Sequence, residues 1–295
     1  MNKTLKLGMA TGVISLALAP AVFADDGTVT VTPNHMKNWV DASLSGATAT
    51  MVDGAPAGLG ASSLELKTMS DVNAKATYAH PEDIKLADLT SASYWTKQNS
   101  ASSEGGSASM TFGVDLNGDG TWDTNLVFEP YWQNNESPDA MPVVKGEWQK
   151  WNVASGLFWS SKDFGTGSAA LVAGHGGAPF YSLANIKANY PDAKVMAAGV
   201  GVGSYNTDYT IDVDGVAING TTYNFEKVSA GNDKEPTNKD DCKKDGWKTL
   251  MNVDGRMFKN QGQCVSYANH HEEDASIDGD RASSDAHVRA NLMTR

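Results

Sequence analysis

Oxygen-bearing side chains alternate along one short turn in the middle of the chain, in the segment DLNGDGTWD. The candidate metal ligands are the side chains of Asp115, Asn117, Asp119 and Asp123, together with the backbone carbonyl of Thr121. Calcium takes hard oxygen ligands at flexible geometry, and Gly120 follows the third acidic or amide position as in calcium loops. Leu126 stands where an EF-hand needs a bidentate glutamate, so the segment is not an EF-hand. The spacing predicts a structural calcium site on a hairpin.

A second interpretation of the same turn needs no metal. Asn117-Gly118 and Asp119-Gly120 are dipeptides that tolerate positive φ and favour hairpin turns. The spacing alone does not choose between the two interpretations.

Aromatic residues are concentrated between residues 122 and 159. Flat indole rings stack on sugars when they face solvent, and Trp122, Trp132 and Trp151 are the candidates for ligand contact. Trp148 and Trp151 are separated by an odd number of residues, so in a strand they point to opposite faces. The alternative for each tryptophan is burial in the core, where an indole removes a large apolar area from water.

No catalytic residue is predicted. Glu129 and Glu147 are the glutamates with aromatic neighbours, but a glycosidase needs two carboxylates that face each other across a cleft. The chain has no G-x-S-x-G nucleophile motif, and its Gly-x-Gly pairs lack the context of a phosphate loop.

These residues must be positioned by strands, because helical periodicity is scarce. Ala108–Leu116 alternates apolar and polar residues, as half-buried antiparallel strands do. The other predicted strands are Thr28–Thr32, Ser63–Met69, Ala74–Tyr78, Ala92–Lys97, Asn125–Trp132, Trp148–Val153, Leu157–Ser160, Lys194–Val202, Tyr209–Val216 and Thr221–Glu226. One short helix is predicted at Ser182–Asn189. The fold class is therefore all-β, an antiparallel β-sandwich.

Charge and composition restrict the partners. The 295 residues carry a net charge of −12, which opposes binding to nucleic acid and to anionic lipid. All four arginines lie at or beyond Arg256, so the larger domain lacks the side chain best suited to phosphate or carboxylate. No segment after the first 24 residues is long and apolar enough to cross a membrane.

The chain divides into five segments. Residues 1–24 have a lysine-containing start, a short apolar stretch and small residues at the end, which predicts a secretory signal peptide and a secreted or periplasmic product. Residues 25–227 form the sandwich, 228–241 a linker, 242–270 a two-cysteine unit, and 271–295 a disordered tail. Because export favours oxidation, Cys242 and Cys264 are expected to form a disulfide that closes the C-terminal unit.

Several blocks resemble uncharacterised secreted bacterial proteins with a concanavalin-like or jelly-roll sandwich and a C-terminal two-cysteine module. The blocks are Gly58–Leu66, Leu86–Thr96, Thr124–Trp132, Gly146–Ser161, Asn189–Ser204 and Tyr209–Glu226. The resemblance implies fold and export rather than chemistry. The acidic stretch at Ile211–Asp214 also resembles the last strand of carbohydrate-binding jelly rolls.

The sequence therefore favours an exported, non-catalytic binding protein. The expected partner is a saccharide, an extracellular matrix polymer or a cell-surface component, with calcium stiffening the acidic hairpin. Two alternatives stay open: a glycan-cleaving sandwich enzyme that uses Glu129 or Glu147, and a structural protein that assembles at the cell surface.

Overall fold

The computed structural model describes residues 27–133, 141–227, 235–252 and 258–271. Within these residues the chain forms strands β1 (Thr28–Val31), β2 (Val40–Asp41), β3 (Thr48–Asp53), β4 (Ser62–Lys67), β5 (Ala76–Lys85), β6 (Ala92–Ser100), β7 (Ser109–Asp115), β8 (Thr124–Phe128), β9 (Trp148–Asn152), β10 (Leu157–Ser160), β11 (Tyr181–Ser182), β12 (Lys194–Val202), β13 (Thr210–Ile218) and β14 (Thr221–Phe225). Its helices are α1 (Pro130–Gln133), α2 (Leu183–Asn189) and α3 (Gln261–His271). The predicted signal peptide and most of the predicted tail lie outside the described residues.

The strands form two sheets, which confirms the predicted β-sandwich. In the first sheet β9 pairs with β6 and β6 with β13; the other side of β13 pairs with β4 along one half and with β14 along the other. β3 extends the sheet beyond β4, and β1 extends it beyond β14. The second sheet has the order β11-β10-β8-β7-β12-β5-β2. All pairs are antiparallel except β1 with β14, which is parallel.

The core lies between the sheets. Alternate side chains of both sheets point inward, since successive residues of a strand face opposite sides. The largest fully buried side chains include Tyr94, Phe112, Phe128, Trp151, Phe158 and Phe225. This apolar cluster holds the two sheets together and leaves their outer faces to carry polar groups.

Several strand boundaries differ from the predictions. The strand expected at Asn125–Trp132 ends at Phe128, because Pro130 begins α1 and has no N–H for a sheet. The strand expected at Ala74–Tyr78 continues to Lys85, where β12 pairs with it. The sequence did not indicate β2, β3 or β11. The helix was predicted correctly: Ser182 caps α2 by accepting a hydrogen bond from Asn185 N at 3.2 Å.

The C-terminal unit is closed by a disulfide between Cys242 and Cys264, as predicted. Its small apolar cluster, which includes Leu250, Phe258 and Ala268, is separate from the sandwich core. Glu235 contacts His35 of the sandwich at 3.0 Å and accepts a hydrogen bond from the Tyr267 hydroxyl at 3.2 Å. In the part of the chain that the structure describes, no helix has the length and apolar character needed to span a bilayer.

Candidate functional site

The acidic turn joins β7 to β8 and is held by its own hydrogen bonds. The buried carboxylate of Asp115 accepts from Gly118 N at 2.7 Å and from Gly120 N at 2.8 Å. Asp123 accepts from Leu116 N at 2.7 Å. Both glycines have positive φ, as the metal-free interpretation of the turn requires.

The turn carboxylates differ in their electrostatic surroundings. The hydrogen bond from Thr121 N lowers the pKa of the exposed Asp119. Burial raises the pKa of Asp123, and the charges of Asp115 and Asp119 raise it further. Each carboxylate oxygen keeps a lone pair beyond these hydrogen bonds. Among the described residues, however, no group of three or more His, Cys, Asp or Glu side chains is placed to hold a metal ion. Calcium at this turn therefore stays a prediction.

Trp122 lies flat on the outer face of the second sheet. Its ring covers Gly113, and its Nε1 donates a hydrogen bond to Asn125 Oδ1 at 3.0 Å. Asn125, which accepts this hydrogen bond, also lines a pocket of about 20 Å³ together with Thr111 and Ser109, and this pocket holds roughly one water molecule. Because Trp122 is only 7% exposed, it offers little surface for stacking on a sugar.

The other two predicted ligand contacts have different surroundings. Trp132 is half-buried beside the exposed Tyr131, at 4.8 Å between ring centroids, and its Nε1 donates to Gly176 O at 2.9 Å. Trp151 lies in the core with 2% of its surface exposed, and its Nε1 donates to Thr96 Oγ1 at 2.7 Å. Its burial between the sheets removes Trp151 from surface contact with a ligand.

Two partly exposed tryptophans that the sequence did not single out as ligand contacts share the outer face of the first sheet. Tyr94 and Thr96 point inward, so Trp95 between them points outward. Across the β6–β9 pair, Trp95 stands opposite Lys150, and Lys97 stands opposite Trp148. The two indoles are therefore diagonal neighbours, at positions that lie about 7–8 Å apart on one face.

We call this surface the Trp95–Trp148 face. It consists of the outward side chains of Ser93, Trp95, Lys97, Trp148, Lys150 and Asn152. Sequence reasoning separated Trp148 from Trp151 correctly, but no local signal could pair Trp148 with Trp95. Their relation depends on the register between β6 and β9, which are separated by about 50 residues.

Both indoles are fixed by contacts. Lys97 Nζ lies 5.4 Å from the ring centroid of Trp148 and forms an ion pair with Asp212 at 2.9 Å. Trp95 packs over Gly215, where a β-carbon would lie 3.0 Å from its Cδ1. These contacts orient the rings before any ligand arrives, which reduces the entropy cost of binding.

An open groove adjoins one end of this face. Its volume is about 590 Å³, within the range of small-molecule sites. Its polar lining residues are Thr90, Ser91, Ser93, Lys150, Asn152 and Ser155, and three alanines complete the lining. The hydroxyl and amide groups can donate and accept hydrogen bonds, and none of the described lining residues is acidic.

The first sheet also carries two buried carboxylates on β13. Asp212 and Asp214 point to the same side of β13, but they are 2% and 0% exposed. Burial raises the pKa of Asp214 to about 8, and the charge of Glu226 adds to the effect. Glu129 follows β8 in the second sheet, and the exposed Glu147 precedes β9 in the first.

No protein family model matches the chain, and no curated protein matches it. Solved structures do show similarity. One is a family 11 carbohydrate-binding module from Clostridium thermocellum in complex with a β-1,3-1,4-mixed-linked tetrasaccharide: 14% identity, TM-score 0.36, covering 62% of this chain and 89% of that one. Another is the family 11 module of a cellulosomal cellulase of Clostridium thermocellum, at 13% identity and TM-score 0.37, covering 64% and 89%.

A larger protein also shows similarity. A β-1,2-glucanase from Parabacteroides distasonis has 14% identity and a TM-score of 0.31, with 61% of this chain matching 23% of that one. All three TM-scores lie below 0.5, so these similarities carry no argument about the ligand of this chain.

Proposed function

We propose that the chain is an exported, non-catalytic binding protein for a neutral saccharide, and that the Trp95–Trp148 face with its groove is the contact surface. The observation that carries the proposal is the pair of oriented, partly exposed indoles beside a groove lined mainly by neutral hydrogen-bonding groups. Sugars present apolar ring faces and hydroxyl groups, so they match indoles and hydroxyl-lined walls together.

The charges of the face favour a neutral ligand. Lys97 is already paired with Asp212, which leaves Lys150 as the exposed cation among the described residues of this surface. One exposed lysine gives weak attraction for a polyanion, and the net charge of −12 opposes one.

Affinity electrophoresis of the full chain in gels that contain a soluble β-glucan, xylan or galactomannan tests the proposal. We expect at least one polysaccharide to retard the protein, and Trp95→Ala or Trp148→Ala to weaken binding roughly tenfold, which corresponds to about 1.4 kcal/mol. The matched control is Trp247→Ala, because Lys248 lies 5.6 Å from the Trp247 ring in the same Lys–Trp arrangement on the C-terminal unit. Equal weakening by all three changes, or no retardation of the wild type, would exclude this surface.

A glycan-cleaving function would draw on carboxylates other than Glu129 and Glu147, which adjoin strands of different sheets. Asp212 is paired with Lys97, whereas Asp214 has a raised pKa, and divergent surroundings for two carboxylates are typical of acid and base roles. Their burial keeps both from a substrate in the present conformation. Release of reducing ends by the wild type, lost in Asp214→Asn, would establish the enzyme.

We also propose that the Asp115–Asp123 turn binds calcium as a structural ion. The alternating oxygens and the free lone pairs of the buried Asp115 support this proposal.

A further inference from the structure

Asp214 is a buried neighbour of Trp95 on the outer side of the first sheet, since the two residues stand opposite each other in the β13–β6 pair. Its Oδ1 accepts hydrogen bonds from Gly215 N at 2.8 Å and from Phe225 N at 2.9 Å. Gly215 has a φ of 55° and sits where the β13–β6 register shifts. Trp95 and Leu59 occupy the space above this glycine. The carboxyl group of Asp214 thus fixes the backbone segment on which Trp95 packs.

The second oxygen of this carboxyl group has no hydrogen-bond partner among the described residues. The same is true of Asn224 Oδ1 and Ser63 Oγ, which are buried on the strands that flank Asp214. Ser63 Oγ can donate to either form of the carboxyl group, but Asn224 Oδ1 only accepts, so an ionised Asp214 cannot pair with it whereas a protonated Oδ2 can donate to it. The surroundings therefore suit the neutral carboxyl group.

We propose that Asp214 is a positioning residue that holds Trp95 in its binding orientation only while its carboxyl group is protonated, so that saccharide affinity falls in alkaline solution. The inference rests on the saccharide binding proposed above. The raised pKa of Asp214, about 8, places the change near that pH.

Several charged side chains surround Asp214 and determine how readily its carboxyl group ionises. Glu226, which follows β14, opposes a further negative charge at Asp214; Glu65 on β4 stands opposite Asp212, and the charge of Lys97 on β6 is already matched by Asp212. Glu226 also holds the covering segment, since its Oε1 accepts from Ala61 N at 3.1 Å. Hydrating an ionised Asp214 requires this covering segment or Gly215 to shift. Leu59 and Trp95 both pack on Gly215, so a shift of Gly215 changes the position of Trp95.

Fluorine NMR of the full chain labelled with 5-fluorotryptophan tests the positioning role without a ligand. Trp95→Phe identifies the Trp95 resonance. We expect this resonance to shift between pH 6 and pH 9 with a midpoint near 8 in the wild type, and to stay constant in Asp214→Asn, which keeps the Oδ1 acceptor. Asp53→Asn, a change at an exposed carboxylate that pairs with Lys227, is the control and should titrate like the wild type. A static resonance in the wild type, or an unchanged titration in Asp214→Asn, overturns the inference.

Measurements of saccharide binding at different pH values then test the predicted loss of affinity. With a polysaccharide that retards the wild type, we expect affinity to fall about tenfold from pH 6 to pH 9, and to change less than twofold in Asp214→Asn. If the affinity falls equally in the wild type and in Asp214→Asn, the positioning role of Asp214 is contradicted, while saccharide binding itself is supported. If no polysaccharide binds at any pH, the proposed function fails, and the NMR titration still decides the positioning role.

Discussion

The indole of Trp122 fills the space above Gly113 in which any other residue would place its β-carbon. This contact joins the acidic turn to the middle of the second sheet, because Trp122 belongs to the turn and Gly113 to β7. Glycine is thus required at residue 113 for packing rather than for its backbone conformation.

Gly113→Ala should displace the Trp122 ring and destabilise the sandwich by about 1–3 kcal/mol, the usual cost of overpacking. Urea unfolding followed by fluorescence measures the difference. Gly262→Ala is the matched control: Gly262 is exposed in α3, and the nearest atom to an added β-carbon there is Asn260 Oδ1 at 3.3 Å. An unchanged free energy of unfolding in Gly113→Ala would contradict the packing.

The ion pair of Lys97 and Asp212 gives a second prediction. Asp212 is 2% exposed, so removing its partner leaves a buried charge, and Lys97→Met should cost about 3 kcal/mol. Lys194→Met breaks the exposed pair with Asp83, for which we expect less than about 1 kcal/mol. Thermal or urea unfolding of both variants checks the contrast, and similar losses would show that the burial of Asp212 has no consequence for stability.

The raised pKa of Asp214 makes stability depend on pH. Between pH 4 and pH 8 the folded protein retains a proton at Asp214 that the unfolded chain releases, so its contribution to stability is complete below pH 4 and is lost as the pH rises to about 8. Because of this residue, the free energy of unfolding falls by at most about 1.4 kcal/mol for each pH unit. Asp214→Asn should lack this component when unfolding is measured at pH 5, 7 and 9. Identical slopes in the two proteins would mean that Asp214 is ionised in the folded state.

Thermal unfolding tests whether the acidic turn binds calcium. If the turn holds the ion, calcium should raise the melting temperature above that in chelator, and Asp119→Ala should abolish the difference. Asp71→Ala is the control, because Asp71 accepts from Asn73 N at 2.8 Å in a similar turn whose alternating oxygens end at Lys75. Equal melting of the wild type with and without chelator would leave the metal-free turn as the explanation.

The sequence by itself determined the two-layer β-fold, the α2 helix with its Ser182 cap, and the Cys242–Cys264 disulfide. The fold and the helix depend on local patterns, since alternation, capping residues and turn dipeptides act over a few neighbouring positions. The separation of Trp148 from Trp151 onto opposite faces followed from the same rule. The disulfide followed instead from the presence of two cysteines in a chain expected to be exported.

Only the tertiary structure decided which tryptophans meet. The pairing of β6 with β9 brings Trp95 and Trp148 onto one face, and the pairing of β13 with β6 places the buried Asp214 opposite Trp95. Strand order and register are set by contacts between residues that are far apart in the chain, and a shift of one residue would turn every side chain to the other side. No window of sequence around Trp95 contains that information.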